Sequence, residues 1–299
     1  MLLRDWYEQV AALVESDLAA NTRAAYDRAW RLRVEPSLGD VLVGELSPVR
    51  VRTAMLDWSG APSTRQDAKA LLSRLCDFAV MEGLLPSNPV RAGRARREIS
   101  ADDPASRALT DSEVSALLGE AFKRHPRAAR LLSALVHTGC RLGEANGLMP
   151  EDIDGDLLRI RRSVSPRAGR MEPGPTKGRA TRAVPILVEF RPVLAAALDD
   201  LRGPYLFSGA NGGAWSSRNL SRALDFGSWR DSIRAFPENE PPLRFHDLRH
   251  TAAMRFFAMG LSAPEVQRIL GHSSLQVTSL YSRATDNAAL RAVELSEAS

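Results

Sequence analysis

Cysteine, lysine and long apolar runs are all scarce in this 299-residue chain. Two cysteines, Cys76 and Cys140, are too few for a disulfide framework or a cysteine-rich zinc site. No apolar run approaches the roughly 18 residues that a membrane span needs. The first segment, MLLRDWYEQVAALVESD, carries Asp5, Glu8 and Glu15 where a secretory signal has an uncharged core. These absences point to a reduced, soluble, cytoplasmic protein with no membrane contact. Lysine occurs only at Lys69, Lys123 and Lys177, so 37 of the 40 basic residues are arginine. A GC-rich genome explains most of that bias, yet arginine also suits planar, bidentate contact with phosphate.

What is present is ordinary in bulk, with 44% hydrophobic and 25% charged residues and a net charge of +4. At about 150 residues per domain the length predicts two domains. Residues 1–90 read as a helical bundle, with apolar spacing of three and four over Trp6–Leu18, Thr22–Val34, Pro48–Trp58 and Ser63–Met81. Asn21-Thr22, Ser63-Thr64 and Ser47-Pro48 are candidate caps. Residues 91–107, RAGRARREISADDPASR, are polar and aperiodic and read as an exposed linker. Its Arg91, Arg94, Arg96 and Arg97 are candidate nucleic-acid contacts. A second unit, 108–285, opens on a capping box at Thr110 and Glu113. It reads as helices at Asp111–Lys123, Arg127–Thr138, Arg141–Gly147, Arg191–Leu201 and Asn219–Ala235, then helix again from Phe245. Between Leu157 and Val188 the pattern turns to short β-like runs around a Gly/Pro-rich hairpin, predicting one small antiparallel sheet. Eight basic residues crowd 158–182 against one acid, Glu172; among them Arg159, Arg161, Arg162 and Arg179 are candidate DNA contacts. A solvated surface stripe is the commoner meaning of such a run.

Four segments carry chemistry. In HTGCRLGEANGL, Arg141 and Glu144 lie three apart, close enough on a helix for the acid to orient the guanidinium. In HDLRHTAAMRFFAMG, Leu248, Ala252, Phe256 and Met259 form an apolar stripe, and His246 and Arg249 beside it can aim at one phosphoryl group. The same segment admits a rival reading, because His246 and His250 have the spacing of a zinc-binding helix with Asp247 in place of the catalytic Glu. LGHSSLQVTSLYSRA adds His272 and Tyr281; a phenol there becomes a nucleophile where cations lower its pKa. Lys177, on the presumed hairpin, can donate a proton if desolvated, which arginine cannot readily do.

Taken together these blocks resemble the tyrosine recombinase, or phage integrase, family across nearly the whole chain. The order is Arg, Lys on a hairpin, His-x-x-Arg, Gly-His, Tyr. NTRAAYDRAW through FAVMEGLLPSNPV is similar to that family's helical, SAM-like core-binding domain. The resemblance implies a mainly α fold with an α-rich catalytic domain around a small antiparallel sheet. It further implies that Arg141, Lys177, His246, Arg249 and His272 surround a scissile phosphate, that Glu144 partners Arg141, and that Tyr281 is the nucleophile. Tyr281 would form a 3′-phosphotyrosyl enzyme, Lys177 would protonate the departing 5′-oxygen, and no metal or other cofactor would be needed.

The partners so implied are double-stranded DNA with specific recombination sites and a homotetramer on that DNA, with room for an accessory directionality factor. The tail 286–299 would dock on a neighbouring subunit. A phage or mobile-element integrase is the first expectation and Xer-type dimer resolution the second. A type IB topoisomerase-like enzyme and a zinc hydrolase are more distant alternatives.

Overall fold

The computed structural model describes residues 1–18, 20–92, 107–167, 170–175, 181–237 and 240–271. The chain divides into two compact units, Met1–Ser100 and Ala101–Ser299. In both, helices dominate, and the strands lie in the second unit.

Among the described residues the first unit has five α-helices: α1 (Leu3–Glu15), α2 (Ala20–Ala29), α3 (Glu35–Leu38), α4 (Pro48–Leu56) and α5 (Pro62–Met81). On α1, Leu3, Trp6, Val10 and Val14 recur every three or four residues and are all buried. They meet Ala68, Leu71, Leu72, Leu75 and Ala79 of α5 within a single core. The Trp6 indole donates to the Leu75 carbonyl at 3.1 Å, which satisfies its one polar atom. Tyr7 stacks on Trp30 with centroids 3.9 Å apart. Trp30–Val34 is a π-helical turn that joins α2 to α3.

Of the expected caps, Ser47 accepts from the Arg50 amide at 3.2 Å with Pro48 at the first helical position. The other two are corrected. Helix α2 already begins at Ala20, ahead of Asn21-Thr22. Helix α5 begins at Pro62, ahead of Ser63-Thr64, because proline at the first turn needs no amide partner and its ring presets φ.

The second unit packs around α7 (Pro126–Thr138), of which ten residues are buried, while Arg127 and Arg130 pair with Asp200. Around it lie α6 (Asp111–Arg124), α9 (Arg191–Asp199), α10 (Ser217–Leu224), α11 (Phe226–Ile233) and α12 (Asp247–Ala258). The short α8 (Leu142–Asn146) follows α7, and α13 (Ala263–Leu270) follows α12. Thr110 and Glu113 form the predicted capping box: the Glu113 amide donates to Thr110 Oγ1 at 3.3 Å and the Thr110 amide to Glu113 at 2.7 Å.

Three expectations are revised here. The strands make two antiparallel sheets, not one: β1 (Ile153–Asp154), β2 (Leu157–Ile160) and β5 (Arg182–Pro185) in order β1-β2-β5, and β3 (Arg162–Arg167) with β4 (Arg170–Pro175). Arg161, between β2 and β3, lies outside both ladders. The helix expected over Asn219–Ala235 is two, because Asp225 takes a left-handed conformation (φ 48°) that an Asp tolerates. That break buries Phe226 and lets the Trp229 indole donate to the Leu224 carbonyl at 2.8 Å. Finally, Met259 leaves the apolar stripe of α12 and is 48% exposed, since the helix ends at Ala258.

Candidate active site

The α7–α8 junction sets the first piece of the site. Gly139 ends α7 with φ 64°, and an added Cβ would strike the Leu270 and Ala252 side chains. Glycine is required there on both grounds. Two residues later Arg141 takes the N-cap position of α8, not an interior one. Glu144, at the third position of that helix, accepts from the Arg141 amide at 2.9 Å and from Arg141 Nη1 at 3.0 Å. The predicted pair therefore forms, as a cap and an ion pair together. Gly143 lets α8 sit against β3, where a Cβ would lie 2.9 Å from the Val164 carbonyl oxygen.

Helix α12 supplies the second piece. His246 is its N-cap and Arg249 is buried one turn on. Arg249 donates from Nη1 to the Gly139 carbonyl and from Nη2 to the Leu270 carbonyl, both at 2.7 Å. It thereby ties the end of α7 to the end of α13. A guanidinium has five N–H donors, so anchoring with two leaves three for a ligand. Burial and the neighbouring Arg141 charge push Arg249 down to about 10, still protonated at neutral pH. His246 is held below the usual imidazole value by burial first and then by Arg249, with Arg244 and Arg141 adding to it. Arg141, His246 and Arg249 thus share one positive electrostatic neighbourhood.

Two buried carboxylates hold that neighbourhood together. Glu144 is 1% exposed. Burial alone would raise its pKa, but Arg182 and Arg141 outweigh that and hold it low. Asp247 is fully buried and accepts from Arg107 Nε (3.0 Å), Arg107 Nη2 (2.7 Å) and the Arg244 amide (2.8 Å). Arg107 was expected to close an exposed linker. It is instead 3% exposed and also donates to the Pro241 carbonyl at 2.9 Å.

These contacts weigh on the zinc reading. Asp247 is committed to two arginines, not aimed between the histidines. The His246 and His250 rings stand edge to face, 5.2 Å apart. No group of three His, Cys, Asp or Glu side chains capable of holding a metal occurs among the described residues. His250 is pushed down to about 4 by burial and by His246.

The remaining candidates divide into two sets. Lys177, His272 and Tyr281 lie outside the described residues, as do Arg94, Arg96, Arg97, Arg179 and the tail 286–299. Gly271 (φ 70°) closes α13, so the chain enters His272 directly from the carbonyls that Arg249 and Arg182 hold. Of the candidate DNA contacts, Arg91 pairs with Asp77, Arg159 with Asp154, and Arg161 and Arg162 with Asp152. Arg162 also donates to the Gly147 carbonyl at 3.1 Å, so it braces α8 against β3.

Arg182 and Arg107 were missed as parts of the site. Their acids, Glu144 and Asp247, lie 38 and 140 residues away in sequence. The one available signal was the acids themselves, each of which needs more cations than its local segment provides.

No helix among the described residues is long and apolar enough to cross a membrane. The phage integrase family model matches residues 107–288. The integrase of Mycobacterium phage L5 is 29% identical over 289 residues, covering 92% of this chain and 73% of that protein. The tyrosine recombinase XerC of Agrobacterium fabrum is 29% identical over 301 residues, covering 93% of this chain and 88% of its own. Among solved structures, the Tn1549 transposon integrase in complex with transposon right end DNA superposes with a TM-score of 0.78 at 19% identity over the whole of both chains. With a match over residues 107–288 and a fold of helices around small antiparallel sheets, this chain belongs to the phage integrase family and is a tyrosine site-specific recombinase.

Proposed function

We propose that this enzyme cleaves and rejoins duplex DNA at specific sites through a 3′-phosphotyrosyl intermediate on Tyr281. The observation that carries the reading is the electrostatic proximity of Arg141, Arg249 and His246, with Arg249 bonded to the carbonyls of Gly139, two residues before Arg141, and Leu270, two residues before His272. Three cationic or imidazole donors at one place suit the trigonal-bipyramidal charge of a phosphoryl transition state. Arg141 and Arg249 neutralise the non-bridging oxygens, and His272 adds a hydrogen bond. The Tyr281 oxygen attacks phosphorus, the bond to the 5′-oxygen breaks, and that oxygen takes a proton from Lys177. His246, kept neutral by burial and by Arg249, accepts the proton that the tyrosine gives up. The ester conserves the bond energy, so a 5′-hydroxyl from a partner strand reverses the step without ATP. Two such exchanges pass through a Holliday junction and call for four active sites, hence a tetramer on DNA.

The similarity to a mycobacteriophage integrase and to a transposon integrase supports a mobile-element role ahead of chromosome-dimer resolution. An accessory directionality factor is compatible with that role. The test is covalent trapping on a nicked random-sequence duplex library, followed by sequencing of the trapped DNA. Wild type is expected to yield a recurrent site, and Tyr281→Phe to bind that site without trapping it. Undiminished trapping by Tyr281→Phe overturns the nucleophile assignment.

A further inference from the structure

We propose that Arg182 is a positioning residue for the strand-cleavage step, acting on Arg141 through Glu144. The inference rests on the reading of the site given above. Arg182 leads β5 and pairs across the ladder with Ile160, which fixes where its side chain leaves the sheet. Its guanidinium meets Glu144 end-on, Nη1 to Oε1 at 3.0 Å and Nη2 to Oε2 at 2.6 Å. Its Nε donates to the Ile269 carbonyl at 2.8 Å. Both Glu144 oxygens are thus shared: Oε1 between the Nη1 atoms of Arg182 and Arg141, Oε2 between Arg182 Nη2 and the Arg141 amide.

The contacts close a ring. Gly139 and Leu270 are joined by Arg249, Ile269 and Glu144 by Arg182, and Glu144 returns to Arg141, two residues after Gly139. Glycine is needed at position 271 for the same reason, since a Cβ there would lie 3.0 Å from Arg182 Cδ. The Arg182 side chain is 9% exposed, and its Nε, Nη1 and Nη2 each already donate to a protein acceptor. Removing it leaves Glu144 held by Arg141 alone, so the carboxylate that aims Arg141 is no longer fixed to the sheet, and the last turn of α13 loses one of its two guanidinium caps. A buried, fully hydrogen-bonded pair is weak evidence of stability, because apolar residues of similar size hold a fold as well. Its value here is geometric: Arg182 fixes the carboxylate that aims Arg141.

The test uses the full chain with Arg182→Lys, which keeps the charge but loses the two-pronged contact. The double variant Arg182→Gln with Glu144→Gln removes the buried cation and its buried carboxylate together and so guards against misfolding. With a synthetic duplex of the trapped sequence, single-turnover cleavage at saturating enzyme is expected to fall about 100-fold, as displaced catalytic groups do. Duplex Kd and Tm are expected to stay close to wild type. Arg141→Ala with Arg182→Lys is expected to cleave no slower than Arg141→Ala alone, because both act through one guanidinium. Independently of DNA, the Arg141 guanidinium NMR signals are expected to change from restricted to freely rotating in Arg182→Lys. Cleavage within threefold of wild type, multiplicative slowing in the double variant, or an unchanged Arg141 signal overturns the proposal. If wild type traps no DNA, the nucleophile reading fails, and the NMR experiment still decides the role of Arg182.

Discussion

The two units solve the problem of a stable interior in opposite ways. Every buried polar or charged side chain among the described residues belongs to the second unit: Arg107, His137, Glu144, Asp152, Asp247 and Arg249 are among them. The first unit buries aliphatic residues, tryptophans and one cysteine. Its ion pairs among the described residues, Arg4–Asp40, Arg31–Asp27, Arg50–Glu45, Arg74–Asp17 and Arg91–Asp77, lie at the surface. Desolvating a charge is expensive, and a core can be built without it, as the first unit shows. In the second unit four buried charges, Arg107, Glu144, Asp247 and Arg249, belong to the candidate site, while Asp152 pairs with Arg162.

The largest expected effect lies at the site. Arg249→Ala should lower single-turnover cleavage by about 100- to 1000-fold, the cost of losing a transition-state donor. Duplex affinity should change far less, because surface arginines carry most of that term. A parallel loss of affinity and rate would place Arg249 in general DNA contact instead.

Next in size are the core substitutions, where the two units should fail differently. Asp247→Ala takes from Arg107 and Arg244 the buried carboxylate they share, leaving Arg107 with Glu240, and should destabilise the second unit by about 3–5 kcal/mol. Leu72→Ala in the first unit opens a cavity and should cost about 2–5 kcal/mol. Refilling the volume tells them apart in urea unfolding: Leu72→Met should recover most of its loss, and Asp247→Leu should not.

Acid should separate the units as well. All five histidines lie in the second unit. Burial first, then the charge of Arg255 for His137 and of His246 for His250, pushes each down to about 4. Unfolded histidines titrate near 6.5, so the unfolded state binds more protons between those values. The stability that these groups contribute is complete above about pH 6.5 and is lost as pH falls toward about 4. For His137, which is 6% exposed, the full loss is on the order of 3 kcal/mol. Hydrogen exchange at pH 7 and pH 5 should show the second unit losing protection ahead of the first, and equal losses would contradict this.

The smallest effect belongs to the surface. Arg31→Ala removes an exposed pair with Asp27 and should change stability by less than about 0.5 kcal/mol in thermal unfolding.

The helices were legible because their apolar residues recur at helical spacing, as Leu3, Trp6, Val10 and Val14 do. The Ser47 and Thr110 caps were legible because their partners lie three residues away. The Arg141–Glu144 pair was legible for the same reason. Arg182 was hidden among eight basic residues in a stripe, with nothing local to set it apart from Arg159 or Arg162. Arg107 looked like linker because its acid comes 140 residues later. Asp225 broke a helix that apolar spacing alone would have continued. Local physics writes itself into short sequence windows; long-range electrostatic pairing does not.

The most direct test of the account is to identify the residue that becomes bonded to DNA. Trapped wild-type complexes would be digested with nuclease and protease and the nucleotide-bearing peptide sequenced by mass spectrometry. The account predicts one modified peptide, with a 3′-phosphonucleotide on the oxygen of Tyr281. A modification on any other residue, or cleavage that leaves no protein-bound nucleotide, would contradict it.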